Sequence, residues 1–348
     1  MAYLRVVEGG TLFPKDRCIV SFDGTHIAYT FLGSAKKGAP TVVLCAGYVC
    51  PDNFWRYLGP ALARRYRVLV WNYRGSGASG SPREPGYRAR NYTSEDFALD
   101  RYARDLKEVL DHEGIKDVVL IGHSMGVQVC LESYRLMPER VRAIASITGP
   151  YASPLRTFYN STLMPRIFPL ARAAIGLFPR PLLVLWKALL RSGLPHPGAV
   201  KLGALGPKAK AEDMRPYYDH MAELDPQIMM KMAEAMHHHS AEDLLHTIAA
   251  PTLVIVGDAD NFTPAWLGRV MASRIPVAEL VVVPGGTHGT IIEEPKLVNK
   301  SILDFLNRHL SADARPPLTL VGPKKRRSNN GKARAPKPGE ESGSAATS

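Results

Sequence analysis

No stretch of the sequence reaches the roughly 18 consecutive uncharged apolar residues expected of a bilayer-spanning helix. The first residues, Met1-Ala2-Tyr3-Leu4-Arg5-Val6-Val7-Glu8, lack the charged-then-apolar order of a secretory leader. The 4 cysteines, Cys18, Cys45, Cys50 and Cys130, form no C-x-x-C pair and no disulfide-framework spacing. Cys45 and Cys130 fall in apolar runs that read as strand and helix, so free thiols packed in the interior of a cytoplasmic protein are expected. No internal repeat is visible. What remains is an ordinary globular composition, 45% hydrophobic and 22% charged over 348 residues, with room for one large or two modest domains.

Acidic residues are scarce in two segments. Tyr151 to Arg215 carries 10 Lys/Arg against 2 Asp/Glu, and Ser311 to Ser348 carries 8 against 3, so of the net charge of +12 almost nothing is left for the remainder. A near-neutral main body argues against a nucleic-acid-binding face there. The tail from Ser311 is rich in Pro, Lys, Gly and Ser and is expected to be disordered. Its Lys324-Lys325-Arg326-Arg327 run reads as a solvated patch, with a localisation or anion-binding role as the alternative.

Elsewhere apolar runs alternate with helical periodicity. Arg17 to Phe22 and Thr25 to Leu32 flank the turn signal Asp23-Gly24 and read as a hairpin. Buried strands are expected at Pro40 to Cys45, Arg67 to Trp71, Asp117 to Ile121, Val141 to Ile147, Thr252 to Val256 and Glu279 to Val283. Helices are expected at Phe54 to Arg65, Ser94 to Glu113, Val127 to Leu136, Ala265 to Arg274 and Pro295 to Leu310. This order implies an α/β fold, a mostly parallel central sheet with helices on both faces. The rhythm breaks between residues 151 and 236, where helical pieces rich in Pro, Leu, Phe and Met replace strands. The division expected is a core of residues 1–150 and 237–310, a helical cap of 151–236 over the carboxyl ends of the strands, and a basic tail of 311–348.

The most informative stretch is Gly122-His123-Ser124-Met125-Gly126, between a buried strand and a helix. In that setting the glycines permit a sharp turn that presents Ser124 at the helix start, near the positive end of its dipole. A serine hydroxyl needs a base, and the base needs a carboxylate. His288 follows one strand in Pro284-Gly285-Gly286-Thr287-His288, and Asp260 follows another in Gly257-Asp258-Ala259-Asp260, with Asp258 as the rival acid. All three loops lie at the same edge of the sheet. The backbone N–H groups of Met125 and of Tyr48, in the Ala46-Gly47-Tyr48 loop after the first parallel strand, are the natural donors to an oxyanion.

These residues resemble the α/β-hydrolase superfamily from about Arg17 to Leu310. The similarity rests on the elbow, on Tyr73-Arg74-Gly75-Ser76-Gly77-Ala78-Ser79, which is similar to the family's R-G-x-G-x-S, on the acid loop before Pro264, on His288 and on the Ala46-Gly47 loop. The family's G-x-x-D before a proline favours Asp260 over Asp258. Two departures stand out: Ala46 where the family commonly has a histidine that braces the loop, and Asn72-Tyr73 where an aspartate commonly precedes the arginine. The resemblance implies a serine hydrolase of lipase or carboxylesterase type, and Ser124 points away from the members that use Asp there, epoxide hydrolases and haloalkane dehalogenases. Thioesterase or lactonase chemistry, or a scaffold that only binds ligand, are the alternatives.

No metal or organic cofactor is expected. The tract His237-His238-His239 cannot turn adjacent side chains, about 100° apart on a helix, toward one ion. Leu163 to Leu170 and Leu182 to Leu190 mix apolar residues with Arg and Lys. They read as cap helices packed over an apolar pocket, the alternative being a basic amphipathic face resting on a membrane surface. Either way a small apolar ester is the expected substrate.

Overall fold

The computed structural model describes residues 12–34, 38–82, 92–154, 157–161, 163–177 and 179–310. The octapeptide at the start, part of the loop expected after Trp71, and the expected disordered tail with its basic patch lie outside the described residues.

The apolar runs pair into one sheet of eight strands: β1 Arg17–Val20, β2 His26–Leu32, β3 Thr41–Cys45, β4 Val68–Trp71, β5 Val118–His123, β6 Val141–Ile147, β7 Thr252–Gly257 and β8 Ala278–Val283. Their spatial order is β1-β2-β4-β3-β5-β6-β7-β8. β1 and β2 form the expected antiparallel hairpin, and Asp23 Oδ1 closes its turn by accepting from the Thr25 N–H at 3.2 Å. β3 through β8 run parallel. Every residue of β3, β4 and β5 is buried, because helices cover both faces; this is why these strands read as unbroken apolar runs.

The strand order turns back between β3 and β5. From β3 the chain passes to β4 on one side and then returns to β5 on the other, which opens a crevice at the carboxyl ends of β3 and β5. Register makes the juxtaposition local: Cys45, the last residue of β3, pairs with Gly122 of β5. The loops after the two strands therefore start side by side.

The helices are α1 Leu58–Ala63, α2 Leu99–His112, α3 Met125–Leu136, α4 Leu163–Leu177, α5 Pro179–Arg191, α6 Pro195–Lys201, α7 Ala211–Glu223, α8 Pro226–His238, α9 Ala265–Arg274, α10 Thr290–Glu293 and α11 Pro295–Leu310. The expected helix from Phe54 to Arg65 is instead a 3-10 turn, Asp52–Trp55, followed by α1. Pro60 has no N–H to bond the Arg56 carbonyl, which weakens a continuous helix there. The expected helix from Ser94 is likewise split by the extended backbone of Ala98, after a 3-10 turn that Thr93 and Asp96 cap reciprocally.

α4 to α8 all lie between β6 and β7, in the segment where strands were not expected. Polar links hold this segment to the sheet domain. Asp213 of α7, buried, accepts from Tyr57 Oη at 2.8 Å and from Arg56, and its carbonyl accepts from Asn53 Nδ2 at 2.6 Å. At α8 the histidine tract diverges: His237 Nδ1 lies 2.5 Å from Ser153 Oγ, whereas His239, just past the helix end, sits between Gln128 and Glu132 at 2.9 Å from each.

Candidate active site

Ser124 occupies the turn between β5 and α3 with φ 54° and ψ −123°, a conformation that costs an L-residue steric energy and that the flanking structure imposes. The elbow glycines let it exist. A Cβ at Gly126 would lie 1.8 Å from the Cys45 carbonyl oxygen, and one at Gly122 would lie 2.5 Å from the Gly126 carbonyl oxygen. Only glycine therefore allows α3 to begin against the end of β3. The N–H of Met125, in the first turn of α3, has no carbonyl four residues back within the helix and is open at the positive end of the dipole.

Three sequence-predicted residues converge. His288 Nε2 lies 2.9 Å from Ser124 Oγ, and His288 Nδ1 lies 3.0 Å from Asp260 Oδ2. Ser124 and His288 are half-buried, whereas the Asp260 side chain is fully enclosed. Asp260 is fixed by more than His288: its Oδ1 accepts from the backbone N–H groups of Phe262 at 2.7 Å and Thr263 at 2.9 Å, and its Oδ2 accepts from Thr263 Oγ1 at 2.7 Å. Burial pushes the carboxyl upward, but the facing His288 and the Thr263 hydrogen bonds outweigh it and hold the group below its ordinary carboxylate value. Asp258 takes no part in the constellation. It is exposed and accepts instead from the Gly285 N–H at 2.6 Å.

Four further features around His288 were not read from the sequence. The Phe262 ring stacks on the imidazole, with centroids 5.0 Å apart and planes inclined by 24°. The His288 carbonyl accepts from Thr148 Oγ1 at 3.3 Å. It also accepts from His123 Nε2 at 3.1 Å, and since a carbonyl can only accept, the proton on His123 sits at Nε2. Burial first, and then the neighbouring His288, pushes His123 down to about 3, so its ring is neutral. Finally, buried Glu293 accepts from Thr287 N–H at 3.0 Å and from Gly206 N–H at 2.7 Å, joining the loop before His288 to the segment of α4 to α8. The Asp260-x-x-Thr263 spacing is a local signal for a self-capping carboxylate turn. Glu293 offered no such signal.

On the other side of Ser124, the Ala46-Gly47-Tyr48 loop is held close. A Cβ on Gly47 would lie 3.1 Å from both Ser124 Cβ and His123 Nδ1. The Tyr48 hydroxyl donates to the Met229 carbonyl of α8 at 2.8 Å. The R-G-x-G-x-S loop beside it is anchored by Arg74, fully buried, whose guanidinium donates to both oxygens of Asp105 at 2.7 and 2.6 Å and to Asp23 at 2.7 Å. Asn72 closes the same loop, its Oδ1 accepting from the Ala78 N–H at 3.1 Å.

A sheet with this strand order, and a serine on a strained strand-to-helix turn, agree with what comparison with known proteins finds. Residues 40–295 match the model of a protein family described as the alpha/beta hydrolase fold. This chain belongs to the α/β-hydrolase family. The hydrolase is 28% identical over 274 residues to a protein of Azorhizobium caulinodans named as a proposed carbamate hydrolase, RutD, an alignment covering 77% of this chain and 91% of that one. It is 23% identical over 314 residues to epoxide hydrolase 4 of Mus musculus, covering 85% and 81%. Among solved structures it resembles a thermophilic esterase from Thermogutta terrifontis with a TM-score of 0.63 and 22% identity, covering 84% of this chain and 98% of that one, a likeness of fold. Among the described residues the hydrolase has no group of three His, Cys, Asp or Glu side chains placed to hold a metal ion, and no helix long and apolar enough to cross a membrane.

Proposed function

We propose that the hydrolase cleaves the carboxylic ester of a small apolar substrate through an acyl-enzyme on Ser124. The observation that carries this reading is the hydrogen-bonded chain from Ser124 Oγ through His288 to Asp260, at 2.9 and 3.0 Å. His288 Nε2 takes the Ser124 proton as Oγ attacks the acyl carbonyl carbon; the carbonyl electron pair moves to oxygen, where the N–H groups of Met125 and Tyr48 stabilise it. The pair returns, the bond to the alcohol oxygen breaks, and the imidazolium gives its proton to that leaving oxygen. His288 then takes a proton from water as the water oxygen attacks the acyl carbon, and returns it to Ser124 Oγ as the bond to that oxygen breaks and the acid leaves. Asp260 keeps the imidazole oriented and balances its positive charge.

Serine at position 124 supports acyl transfer over epoxide opening, for which the resembling members use aspartate. Carbamate, thioester and lactone bonds present the same carbonyl to the same residues, and the relative in A. caulinodans adds weight to the carbamate. Phe262 over His288, with Phe158 packed edge-on against it at 4.3 Å, supports an apolar substrate beside the base. The segment of α4 to α8 acts as a cap, linked to the site loops through Tyr48 and Glu293. The test is hydrolysis of p-nitrophenyl esters from acetyl to palmitoyl by the wild type beside Ser124→Ala. Activity peaking at one chain length and lost in the variant is expected; hydrolysis that survives in Ser124→Ala, or absence of Ser124 labelling by a fluorophosphonate, would sink the mechanism.

A further inference from the structure

The segment of α4 to α8 carries a surface that acyl transfer does not use. From Leu163 to Leu202 the chain has 6 Lys/Arg and no Asp/Glu. Within it, α5 packs inward through buried Leu190 and through Trp186, whose indole N–H donates to the Met221 carbonyl of α7 at 3.3 Å. Its opposite face is apolar as well. Pro181, Val184, Leu185, Ala188 and Leu189 recur at spacings of three and four, which places them on one side of the helix, and all are exposed. Val184 is 70% exposed, Leu185 66% and Leu189 45%; α4, the helix before it, adds Leu170 at 70% and Leu177 at 74%.

Single exposed leucines are ordinary, but a whole helix face of them is not, because each forfeits the free energy of burial unless something covers it. The charges around the face indicate what does. Lys187 and Arg191 of α5 share a single acid, Glu223 of α7, which leaves positive charge in excess beside the apolar side, and Arg166 of α4 and Lys201 of α6 are exposed in the same segment. A second copy of the same face would set this excess of positive charge against its like. An anionic surface with an apolar interior matches both properties.

We propose that the outer face of α5, with α4, docks on a lipid bilayer bearing anionic headgroups, the apolar side chains entering the acyl boundary and the basic ones meeting phosphates. The helix lies in the interface and does not span it. This goes beyond the ester chemistry and needs no assumption about the bond Ser124 attacks, although an apolar ester dissolved in the same bilayer would be delivered to the cap. One face of α5 thus packs on α7 and the other stands exposed.

The test is flotation of the full chain with vesicles of phosphatidylcholine alone and of phosphatidylcholine mixed with phosphatidylglycerol. Stronger binding to the mixed vesicles, weakened by salt, is expected, with a loss of about tenfold or more in the double variant Val184→Asp, Leu185→Asp. Circular dichroism and turnover of a water-soluble ester report separately on folding and on the serine chemistry, and Leu185→Ser with Leu189→Ser is the milder variant should the first misfold. Failure of ester turnover alone would strike the acyl-transfer reading and leave the vesicle result standing. The proposal is overturned if the wild type ignores mixed vesicles, or if binding survives in a folded variant, which would assign the attraction to charges elsewhere such as those of residues 311–348. It is equally overturned if sedimentation finds a dimer that the variant dissociates.

Discussion

The Tyr73 hydroxyl donates a 3.0 Å hydrogen bond to the carbonyl oxygen of Ala46, and both residues are buried. Ala46 stands where the family commonly has a histidine that braces the loop after β3, and Tyr73 lies between Arg74 and Asn72, the residue found where the family commonly has an aspartate. Tyr73, wedged between Trp71 and Tyr102 with ring centroids 4.8 Å from each, holds the loop after β3 through that bond.

Tyr73→Phe keeps the ring packing and removes that brace. A buried hydrogen bond of this kind contributes about 1 kcal/mol to stability, so a small drop in the denaturation midpoint is expected. If the loop carries an oxyanion donor, kcat falls by roughly tenfold with KM little changed, because the donor acts on the transition state more than on bound substrate. Unchanged kcat would remove Tyr48 from the proposed oxyanion site.

Asp260 and Asp258 are two residues apart, yet one is enclosed against His288 and the other is exposed against Gly285. Asp260→Asn should lower kcat on the order of a thousandfold or more by disturbing the orientation and charge balance of His288. Asp258→Asn should stay within about threefold of the wild type, as expected of a surface turn substitution. The reverse ranking in steady-state kinetics would reassign the acid.

The neutral ring of His123 makes stability depend on pH. Its folded value, about 3, lies below the ordinary histidine value of about 6.5, so between these limits the unfolded chain binds the extra proton and the folded chain does not. Stability is therefore lost as pH falls from about 6.5, by up to about 1.4 kcal/mol per unit. Asp260, whose carboxyl is held low, adds its own loss only below about pH 3.9, whereas His220, which burial pushes down to about 4, titrates in the same window, so the His123 share is read from the difference between the wild type and a His123 variant. In His123→Gln, whose amide can still donate to the His288 carbonyl, urea denaturation at pH 7, 6, 5 and 4 should give a flatter dependence. An identical slope in both proteins would place the titration elsewhere.

Much of this hydrolase is set by its local sequence. β6 appears at Val141–Ile147 and α9 at Ala265–Arg274, with the bounds their apolar patterns imply, because a strand buried on both faces and an amphipathic helix each impose a local period. Ser124 could be picked out because G-x-S-x-G needs only its flanking strand and helix, and His288 and Asp260 because each follows a strand whose end must lie at the same sheet edge. What the tertiary structure alone decided are the partnerships that no local period encodes. Tyr73 finds Ala46 27 positions away and Glu293 finds Gly206 87 positions away, contacts that exist only once the strand order and register are complete. The same holds for α5: with apolar residues on both sides, its sequence names no inward face, and only its packing on α7 through Trp186 and Leu190 leaves Val184, Leu185 and Leu189 to the outside.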